Sequence, residues 1–297
     1  MKIFHLNNPA SGNSNGHKHF PLINKSLESK KITHVAEQTK YAGHGTTIVR
    51  DLDFNEYDAL VVSGGDGTIF EALNGYFVNG SSKRIPLAVV PVGRGNAFAR
   101  DIDLHPNTWN ETIDVLLNGR TKKIDAGSFR MNGDQFYFLN ILGFGFVTDV
   151  AGTALKLCSL GHLSYILGVL YETITLSPYK LKIEIDGKPI ERENVFVEIS
   201  NTRYTGKDFL MAPAAKIDDG YLDVVLLNRL SRARLLKYLP MIFTGKHVEM
   251  NEVETYKAKK IKIETEPAKL LTPDGQLMGS TPIEVECLPE AIEVFVK

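Results

Sequence analysis

The chain has 297 residues, of which 43% are hydrophobic and 23% are charged, and its formal net charge is -1. This composition is that of an ordinary globular protein, and a net charge near zero argues against general electrostatic binding of nucleic acid. The length exceeds that of a typical single core, so we expect two domains.

The first part of the chain alternates short apolar runs with helical patterns. The runs cover residues 3–6, 59–62 and 87–90, and each ends in a turn rich in Gly, Ser or Asn. Alternation of strand and helix is typical of βαβ units, which place their strands in a parallel sheet. We therefore predict an α/β domain over residues 1–126.

Glycine-bearing turns follow all three of these predicted strands. Their sequences are NPASGN at 8–13, SGGDGT at 63–68 and PVGRGNAF at 91–98. The carboxyl ends of parallel strands lie at one edge of a sheet, and open α/β sheets bind ligands outside that edge. The three turns are therefore expected to meet in one crevice, which is stronger evidence for a binding site than a single glycine turn.

The second of these turns carries an aspartate. Gly64, Gly65 and Gly67 surround Asp66, and a helix is predicted to begin near Thr68. Backbone N–H groups in such a turn attract phosphate, whereas a carboxylate repels it unless a cation such as Mg²⁺ lies between them. The turn therefore indicates a magnesium nucleotide. The alternative is that Asp66 only stabilises the turn and caps the next helix.

The second half of the chain is dominated by predicted strands and short turns. DG turns occur at 186–187, 219–220 and 274–275, and such turns commonly join antiparallel strands. We therefore predict that the strands of the second half are mainly antiparallel. Its predicted strands cover residues 135–147, 179–187, 194–200, 221–227, 259–264 and 283–296.

The change of pattern places a domain boundary near residues 125–127. We predict a β-rich domain over residues 127–287 that binds the substrate. The last strand, at about residues 288–297, can return to the first domain.

Helical patterns interrupt the second half at residues 154–176 and 231–248. The second pattern has a broad apolar face with basic residues nearby, which suits either a membrane-surface helix or a helix packed on the core. We expect the packed helix, and we expect Pro240 to kink or break it. The apolar residues are Leu235, Leu236, Leu239, Ile242 and Phe243, and the basic ones are Arg232, Arg234 and Lys237.

Cysteine content and the N-terminal sequence indicate a cytoplasmic protein. Cys158 and Cys287 are too few for a disulfide framework and lack metal-ligand spacing, so both are expected in the core. The first residues, MKIFHLNNPASG, do not resemble a signal peptide, and the apolar stretch LSYILGVLY is too short to span a bilayer. Peripheral contact with a membrane stays possible.

Four motifs together resemble a known family. They are GGDGT at 64–68, PVGRGNAFAR at 91–100, FLNILGFGF at 138–146 and APAAKIDDGYLDV at 212–224. This set is similar to the lipid kinases related to diacylglycerol kinase, which include sphingosine and ceramide kinases. GGDGT is shared with NAD kinases, and GGDG with phosphofructokinases, so the later motifs select the lipid-kinase branch. The resemblance implies a Rossmann-like, doubly wound α/β domain followed by an antiparallel β-sandwich domain.

The resemblance also implies a nucleotide site made from the three glycine turns. The residues of this site would contact phosphates, ribose or magnesium. Glu71 can equally cap its helix. Arg94 replaces the threonine that is usual in the family, and its side chain can reach phosphate or point to solvent. The implied nucleotide-binding residues are Asn8, Ser11, Gly12, Thr39, Gly64, Gly65, Asp66, Gly67, Thr68, Glu71, Gly93, Arg94, Gly95 and Asn96.

Two further features of the family map onto the second half. A structural Mg²⁺ would be bound by the Asp219 carboxylate with the backbone carbonyls of Lys216 and Tyr221, and Asp218 is the rival ligand. The family's C-terminal DGE appears here as residues 274–276, with glutamine as the third residue.

That glutamine cannot act as a base. Asp274 must then accept the lipid hydroxyl proton beside the magnesium-binding Asp66, unless base catalysis contributes little or Asp274 is only a hairpin residue.

The sequence therefore predicts an ATP- and Mg²⁺-dependent lipid kinase that is most similar to diacylglycerol kinase. Its expected partners are the nucleotide, a lipid at a membrane surface and, as an open possibility, a second copy of the chain, with no nucleic acid. A kinase of a soluble metabolite such as NAD is one alternative. The other is a nucleotide-binding regulatory protein in which Gln276 reflects weak catalysis.

Overall fold

The computed structural model describes residues 1–105, 108–156 and 163–297. Its first part alternates strands and helices, as the apolar runs predict. The strands are β1 Lys2–Asn7, β2 Thr33–Gln38, β3 Ala59–Gly64 and β4 Leu87–Pro91, and the helices are α1 Ser11–Ser29, α2 His44–Asp51, α3 Asp66–Val78, α4 Ala97–Asp101 and α5 Trp109–Asn118.

The four strands form a parallel sheet in the order β2, β1, β3, β4. Every residue of β3 and β4 is buried, as expected for strands covered by helices on both faces. β2 was not predicted because it lies at the edge of the sheet, where exposed and half-buried residues alternate and no apolar run forms.

The second part of the chain is mainly antiparallel. Among its described residues, three α-helices accompany the strands, and short 3-10 helices lie at Leu239–Phe243 and Lys246–Glu249. Another 3-10 helix, Phe54–Glu56, belongs to the first part of the chain. The elements are β5 Thr121–Met131, β6 Asp134–Phe138, β7 Ile141–Gly145, α6 Phe146–Lys156, α7 Leu163–Ile174, β8 Tyr179–Ile185, β9 Lys188–Ser200, β10 Tyr204–Thr205, β11 Phe209–Leu210, β12 Leu222–Asn228, α8 Arg232–Tyr238, β13 Val253–Ala258, β14 Lys260–Glu266, β15 Leu270–Pro273, β16 Met278–Ser280 and β17 Ile283–Phe295.

The antiparallel strands enclose a second hydrophobic core. They follow the order β15, β7, β9, β8, β14, β17, and apolar side chains from all of them pack into one cluster around Phe138 and Phe144. The hairpin predicted at 186–187 joins β8 to β9, and the one at 274–275 joins β15 to β16. The turn at 219–220 instead precedes β12 without joining two paired strands.

β5 and β17 connect the two cores. They pair antiparallel along their length, and β17 also meets the parallel sheet where Val294 lies beside Leu87 of β4. Ile124 of β5 packs in the first core and Phe129 in the second. The expected boundary near residues 125–127 therefore falls inside a continuous strand, and the division into domains stays a prediction.

The single strand predicted over 135–147 is two strands and the start of a helix. β6 ends at Phe138, β7 begins at Ile141, and α6 begins at Phe146. Between β6 and β7, the backbone N–H groups turn toward the Asp274 carboxylate, which only the folded chain brings there. This interruption is central to the candidate site.

Pro240 breaks the helical pattern at 231–248, as predicted. α8 ends at Tyr238, and Pro240 lies in the first turn of the following 3-10 helix, where its missing N–H costs nothing. Of the predicted apolar face, Leu235 is buried, whereas Leu236 and Phe243 are 43% and 55% exposed.

Cys287 is a core residue, as expected. It is buried in the second core, and burial raises the pKa of its thiol to about 12. Cys158 lies outside the described residues. Within the described ranges, no helix has both the length and the apolar character needed to cross a bilayer.

Candidate functional site

The turns that follow β1 and β3 contact each other through side-chain hydrogen bonds. Asn8 Nδ2 donates to Thr68 Oγ1 over 3.0 Å, and the backbone N–H of Gly65 donates to Ser11 Oγ over 3.2 Å. Ser11 Oγ also lies 3.4 Å from Thr68 Oγ1. The first two glycine turns therefore meet at the N-terminus of α3, as the sheet-edge argument predicts.

The third turn packs directly on the second. The Gly93 N–H donates to the Gly64 carbonyl over 3.2 Å, and a Cβ on Gly93 would lie only 2.3 Å from the Cα of Gly65. A Cβ on Gly12 would lie 2.1 Å from the Val92 carbonyl oxygen, and Gly12 has a φ of +60°. These glycines are required for contact between turns, and the same closeness leaves backbone N–H groups accessible to a ligand.

Asn96 and Arg94 shape the third turn in different ways. The Asn96 side chain is buried and closes the turn, because Oδ1 accepts from the Gly93 N–H over 3.0 Å and Nδ2 donates to the Gly93 carbonyl over 2.9 Å. Arg94 is exposed and hydrogen-bonds Asn13 Oδ1 in the first turn. The guanidinium therefore crosses from the third turn to the first, where phosphate is expected.

Asp66 begins α3 at the junction of these turns. Its Oδ1 accepts from the Phe98 N–H at the start of α4 and from Asn140 Nδ2, each over 3.2 Å. Burial raises the pKa of Asp66, and the hydrogen bonds that it accepts oppose that rise. A partly buried carboxylate without a cationic partner among the described residues suits a site that binds a divalent cation.

Asp274 is buried beside this aspartate. Its Oδ1 accepts from the N–H groups of Asn140 and Ile141, each over 2.9 Å, and its Oδ2 accepts from the Leu139 N–H over 3.0 Å. Burial, and after it the nearby charge of Asp66, raise the pKa of Asp274 to about 7. The carboxyl group can therefore be either protonated or ionised near neutral pH, which suits a proton acceptor.

Gln276 lies against the GGDGT turn. A Cβ on Gly67 would lie 2.1 Å from Gln276 Nε2, so the glutamine amide covers the backbone next to Asp66. An amide cannot accept a proton as a carboxylate does, but its N–H groups can donate to phosphate oxygens. The C-terminal residues 274–276 therefore do reach the glycine turns.

Glu71 and Thr39 lie beside the turns but have other partners. The Glu71 carboxylate accepts from the N–H groups of Gly43 and Gly45 over 2.8 and 2.9 Å, which fixes the N-terminus of α2. The Thr39 N–H donates to the Asn7 carbonyl over 2.9 Å. Glu71 therefore caps α2 and not its own helix α3, and nucleotide contacts of both residues stay a prediction.

The second predicted metal site contains a lysine. Asp219 Oδ2 lies 2.6 Å from Lys257 Nζ, which also lies 3.2 Å from Asp223 Oδ2, while Asp218 pairs with Lys122 over 2.7 Å. The Tyr221 N–H donates to Asp219 Oδ1 over 3.1 Å.

A metal ion at this turn would therefore have to displace Lys257 from Asp219. Among the described residues, no three His, Cys, Asp or Glu side chains form a group that could hold a metal ion. The donor set with Lys216, Asp219 and Tyr221 stays a prediction, and we derive no catalytic step through it.

Three residues near the site were missed from the sequence. Asn140 belongs to a quoted motif, but its contacts with both aspartates were not foreseen. Asp125 served only as a boundary marker, yet its buried carboxylate accepts from the N–H groups of Gly220 and Glu290. Asn7, before the first turn, has both side-chain polar atoms buried without a partner among the described residues. Buried polar groups ordinarily need a partner, so a water or ligand contact is expected there.

An apolar cavity of about 380 Å³ opens in the second part of the chain. Helices α6, α7 and α8 cover one side of it, and strands β9 and β12 form the other. Its size is within the range of small-molecule pockets. Side chains that line it include Val150, Leu170, Phe196, Glu198, Val225 and Phe243.

The chain matches two protein-family models. One is described as the diacylglycerol kinase catalytic domain and matches residues 2–129. The other is described as the YegS C-terminal NAD kinase beta sandwich-like domain and matches residues 143–296. Together they confirm the resemblance and the fold class inferred from the motifs.

Individual relatives agree with these matches. The chain is 30% identical over 292 residues to a diacylglycerol kinase of Bacillus subtilis strain 168, a match that covers 97% of this chain and 94% of that one. It is 32% identical over 241 residues to a diacylglycerol kinase of Mycobacterium tuberculosis, over 80% and 76% of the two chains. A solved diacylglycerol kinase structure from Bacillus anthracis strain Sterne has a TM-score of 0.76 at 26% identity, covering 100% of this chain and 97% of that one.

Proposed function

Because this chain belongs to the diacylglycerol kinase family of lipid kinases, we propose that it transfers the γ-phosphoryl group of ATP to a lipid hydroxyl, such as that of diacylglycerol. The observation that carries the proposal is the contact of three glycine turns around Asp66. Phosphoryl transfer depends mainly on positioning and on neutralising phosphate charge, and this site offers the groups for both.

The glycine turns would hold the nucleotide phosphates. The N-terminus of α3 would provide backbone donors, while Arg94 and Gln276 add side-chain N–H groups on either side. Asp66 would bind the Mg²⁺ that accompanies ATP, which supplies positive charge to the phosphates.

Asp274 would act on the lipid hydroxyl. Three backbone N–H groups occupy most of the acceptor positions on its carboxylate, so the proton must enter by the lone pair that stays free. Its pKa of about 7 suits that task. Asp274 also fixes Asn140 and thereby the orientation of Asp66, so part of its effect is on positioning.

The apolar cavity covered by α6, α7 and α8, which we call the lipid cavity, would hold the hydrocarbon chain, and its rim would contact the membrane surface. Exposed apolar residues lie on the elements that surround the cavity, with Arg232 and Lys237 on α8 close by. An apolar surface edged by basic groups suits peripheral contact with anionic lipid headgroups. The exposed residues are Leu170, Tyr171, Ile174, Leu236 and Phe243.

A lipid panel tests this proposal. The protein is incubated with ATP labelled at the γ-phosphate, Mg²⁺ and diacylglycerol, monoacylglycerol, ceramide or a long-chain base in detergent micelles. We expect label in at least one lipid and none with the Asp66→Asn variant. Folded wild-type protein that labels none of these lipids, but phosphorylates NAD, would replace the lipid kinase by a soluble-metabolite kinase.

Gln276 favours a second candidate, a nucleotide-binding protein with weak catalysis. Its amide lies against Gly67, where the resemblance implies a carboxylate. If this is a catalytic deficit, Gln276→Glu should raise turnover while the affinity for nucleotide changes little. Calorimetry that shows tight ATP binding together with undetectable turnover in wild type and variant would support the regulatory role.

A further inference from the structure

Glu198 places a carboxyl group in the wall of the lipid cavity. It lies on β9, is only 1% exposed, and is surrounded mainly by apolar side chains. Its Oε1 accepts hydrogen bonds from Thr205 Oγ1 over 2.6 Å and from Ser200 Oγ over 3.2 Å. One oxygen of the carboxyl group is therefore well satisfied by the protein.

The second carboxyl oxygen of Glu198, Oε2, is not satisfied in this way. Among residues 1–105, 108–156 and 163–297, Glu198 Oε2 has no hydrogen-bond partner and the carboxylate has no ion pair. His247 also lines the cavity, but it donates to the Met211 carbonyl and burial lowers its pKa, so it supplies no positive charge. Oε2 keeps some exposure to the cavity, so a donor on a molecule bound there can reach it and complete its hydrogen bonding.

The same strand connects Glu198 to the acidic pair of the candidate site. Successive residues of a strand alternate faces, so Glu198 and Ser200 share one face of β9. Just beyond the strand, Thr202 Oγ1 lies 3.4 Å from Asn140 Oδ1, and Asn140 contacts Asp66. The segment from Glu198 to Thr202 therefore runs from the wall of the cavity to Asn140 in the candidate site.

We propose that Glu198 Oε2 accepts a hydrogen bond from a hydroxyl or amide N–H that the lipid carries between its reacting hydroxyl and its hydrocarbon chain. This inference rests on the proposed lipid kinase function and adds a specificity-determining residue to it. A lipid that offers only ester oxygens at this point leaves Oε2 unpaired and is disfavoured. The site thus selects for a hydrogen-bond donor near the polar end of the lipid.

The experiment compares 1-monodecanoylglycerol with 1,2-didecanoylglycerol in the same mixed micelles. Both have a hydroxyl that can be phosphorylated, but only the first has an additional free hydroxyl. The measured quantity is the ratio of kcat/KM for the two lipids. The rates are measured at pH 8, above the pKa of about 7 to which burial raises Glu198, so that the carboxylate is ionised and can only accept. There we expect Glu198→Met to lower the monoacyl-to-diacyl ratio by about 10- to 100-fold, as for loss of a hydrogen bond to a charged acceptor.

Two further variants separate hydrogen bonding from packing. Glu198→Gln can keep an oxygen toward Thr205 while presenting N–H groups to the cavity, so the ratio should again fall, because those groups can donate to ester carbonyls. Val225 lies opposite Glu198 in the β9–β12 register and lines the same cavity. Val225→Ala changes the volume of the cavity but not the carboxylate, so it measures how far volume alone shifts the ratio, and the fall caused by the Glu198 variants should exceed that shift.

The outcomes for this inference and for the kinase proposal are distinct. If wild type labels a lipid but both Glu198 variants keep the wild-type ratio within about twofold, Glu198 does not discriminate between the two lipids. If wild type labels neither lipid, calorimetry replaces the rate measurement: the affinities of the two lipids are measured for wild type and for Glu198→Met, and their monoacyl-to-diacyl ratio is compared. An unchanged affinity ratio then overturns the inference, and a lowered one upholds it although the kinase proposal has failed.

Discussion

Asp66 and Asp274 are held by one residue, Asn140. The Asn140 side chain donates to Asp66 Oδ1 over 3.2 Å, and its backbone N–H donates to Asp274 Oδ1 over 2.9 Å. The two carboxyl groups are close enough for the charge of Asp66 to raise the pKa of Asp274. A change at one aspartate is therefore expected to affect the other, and single variants must be interpreted with this coupling in mind.

Asp66→Asn should impair the use of magnesium ATP. The amide keeps the size of the side chain but loses the charge that would hold Mg²⁺, so kcat/KM for ATP should fall by about 10²-fold or more. Added Mg²⁺ should restore part of the activity. The check is a set of initial rates at several Mg²⁺ concentrations. If the variant has wild-type rates at every Mg²⁺ concentration, Asp66 does not bind the metal ion.

Asp274→Asn should lower both stability and turnover. The three N–H groups that face the carboxylate would meet an amide with one oxygen and one NH₂, so at least one donor loses its partner. Urea unfolding should show a loss of about 1–3 kcal/mol. Loss of a proton acceptor should lower kcat by about 10²- to 10⁴-fold with little change in the KM for ATP.

A matched control for that variant is Asp218→Asn, because Asp218 is exposed at the surface and pairs only with Lys122. It should have no measurable effect on stability or rate. If Asp274→Asn lowers stability but keeps near-wild-type kcat across the pH range, Asp274 stabilises the turn between β6 and β7 without accepting the proton.

Lys257 and Mg²⁺ should compete for the Asp219 carboxylate. The ammonium group contacts both Asp219 and Asp223, so the wild-type Tm should be nearly the same in Mg²⁺ and in EDTA. Lys257→Met leaves two carboxylates without that cation, and its Tm should rise by a few °C when Mg²⁺ replaces EDTA. A large Mg²⁺ effect on the wild type, absent from the variant, would instead favour the predicted donor set with Lys216 and Tyr221.

The sequence predicts the parts of the site whose geometry is local. The contact among the glycine turns follows from the positions of three strands in one parallel sheet, and Gly65 and Gly93 indeed touch. The bond network of Asp274 could not be predicted, because it joins residues more than a hundred positions apart through backbone N–H groups that any sequence carries. Lys257 at Asp219 was missed because only the pairing of β12 with β13 brings the lysine beside this turn.

Glu198 was missed for a different reason. In the sequence it interrupts an apolar strand, and an isolated glutamate in a strand is ordinarily solvent-exposed. Only the packing of α6, α7 and α8 over β9 shows that this position faces an apolar cavity. The cavity itself is lined by common apolar residues, so no sequence motif identifies it.

Glu198 should make stability fall as pH rises. Burial raises its pKa to about 7 from 4.5, so between these values the folded state holds a proton that the unfolded state has lost. The stabilisation is complete below about pH 4.5 and is lost as pH rises through about 7, by up to about 3 kcal/mol. Glu198→Gln cannot titrate, so the difference in unfolding free energy between variant and wild type should grow in favour of the variant from pH 5 to pH 8.

Urea unfolding at the two pH values measures this difference. Asp66 and Asp274 also have raised pKa values, but both are present in wild type and variant, so their contribution cancels in the comparison. Glu264→Gln, at an exposed position on β14, controls for loss of one negative charge. Equal pH dependence in wild type and Glu198→Gln would mean that the Glu198 carboxylate is ionised in the folded protein, with a partner at Oε2 already in place.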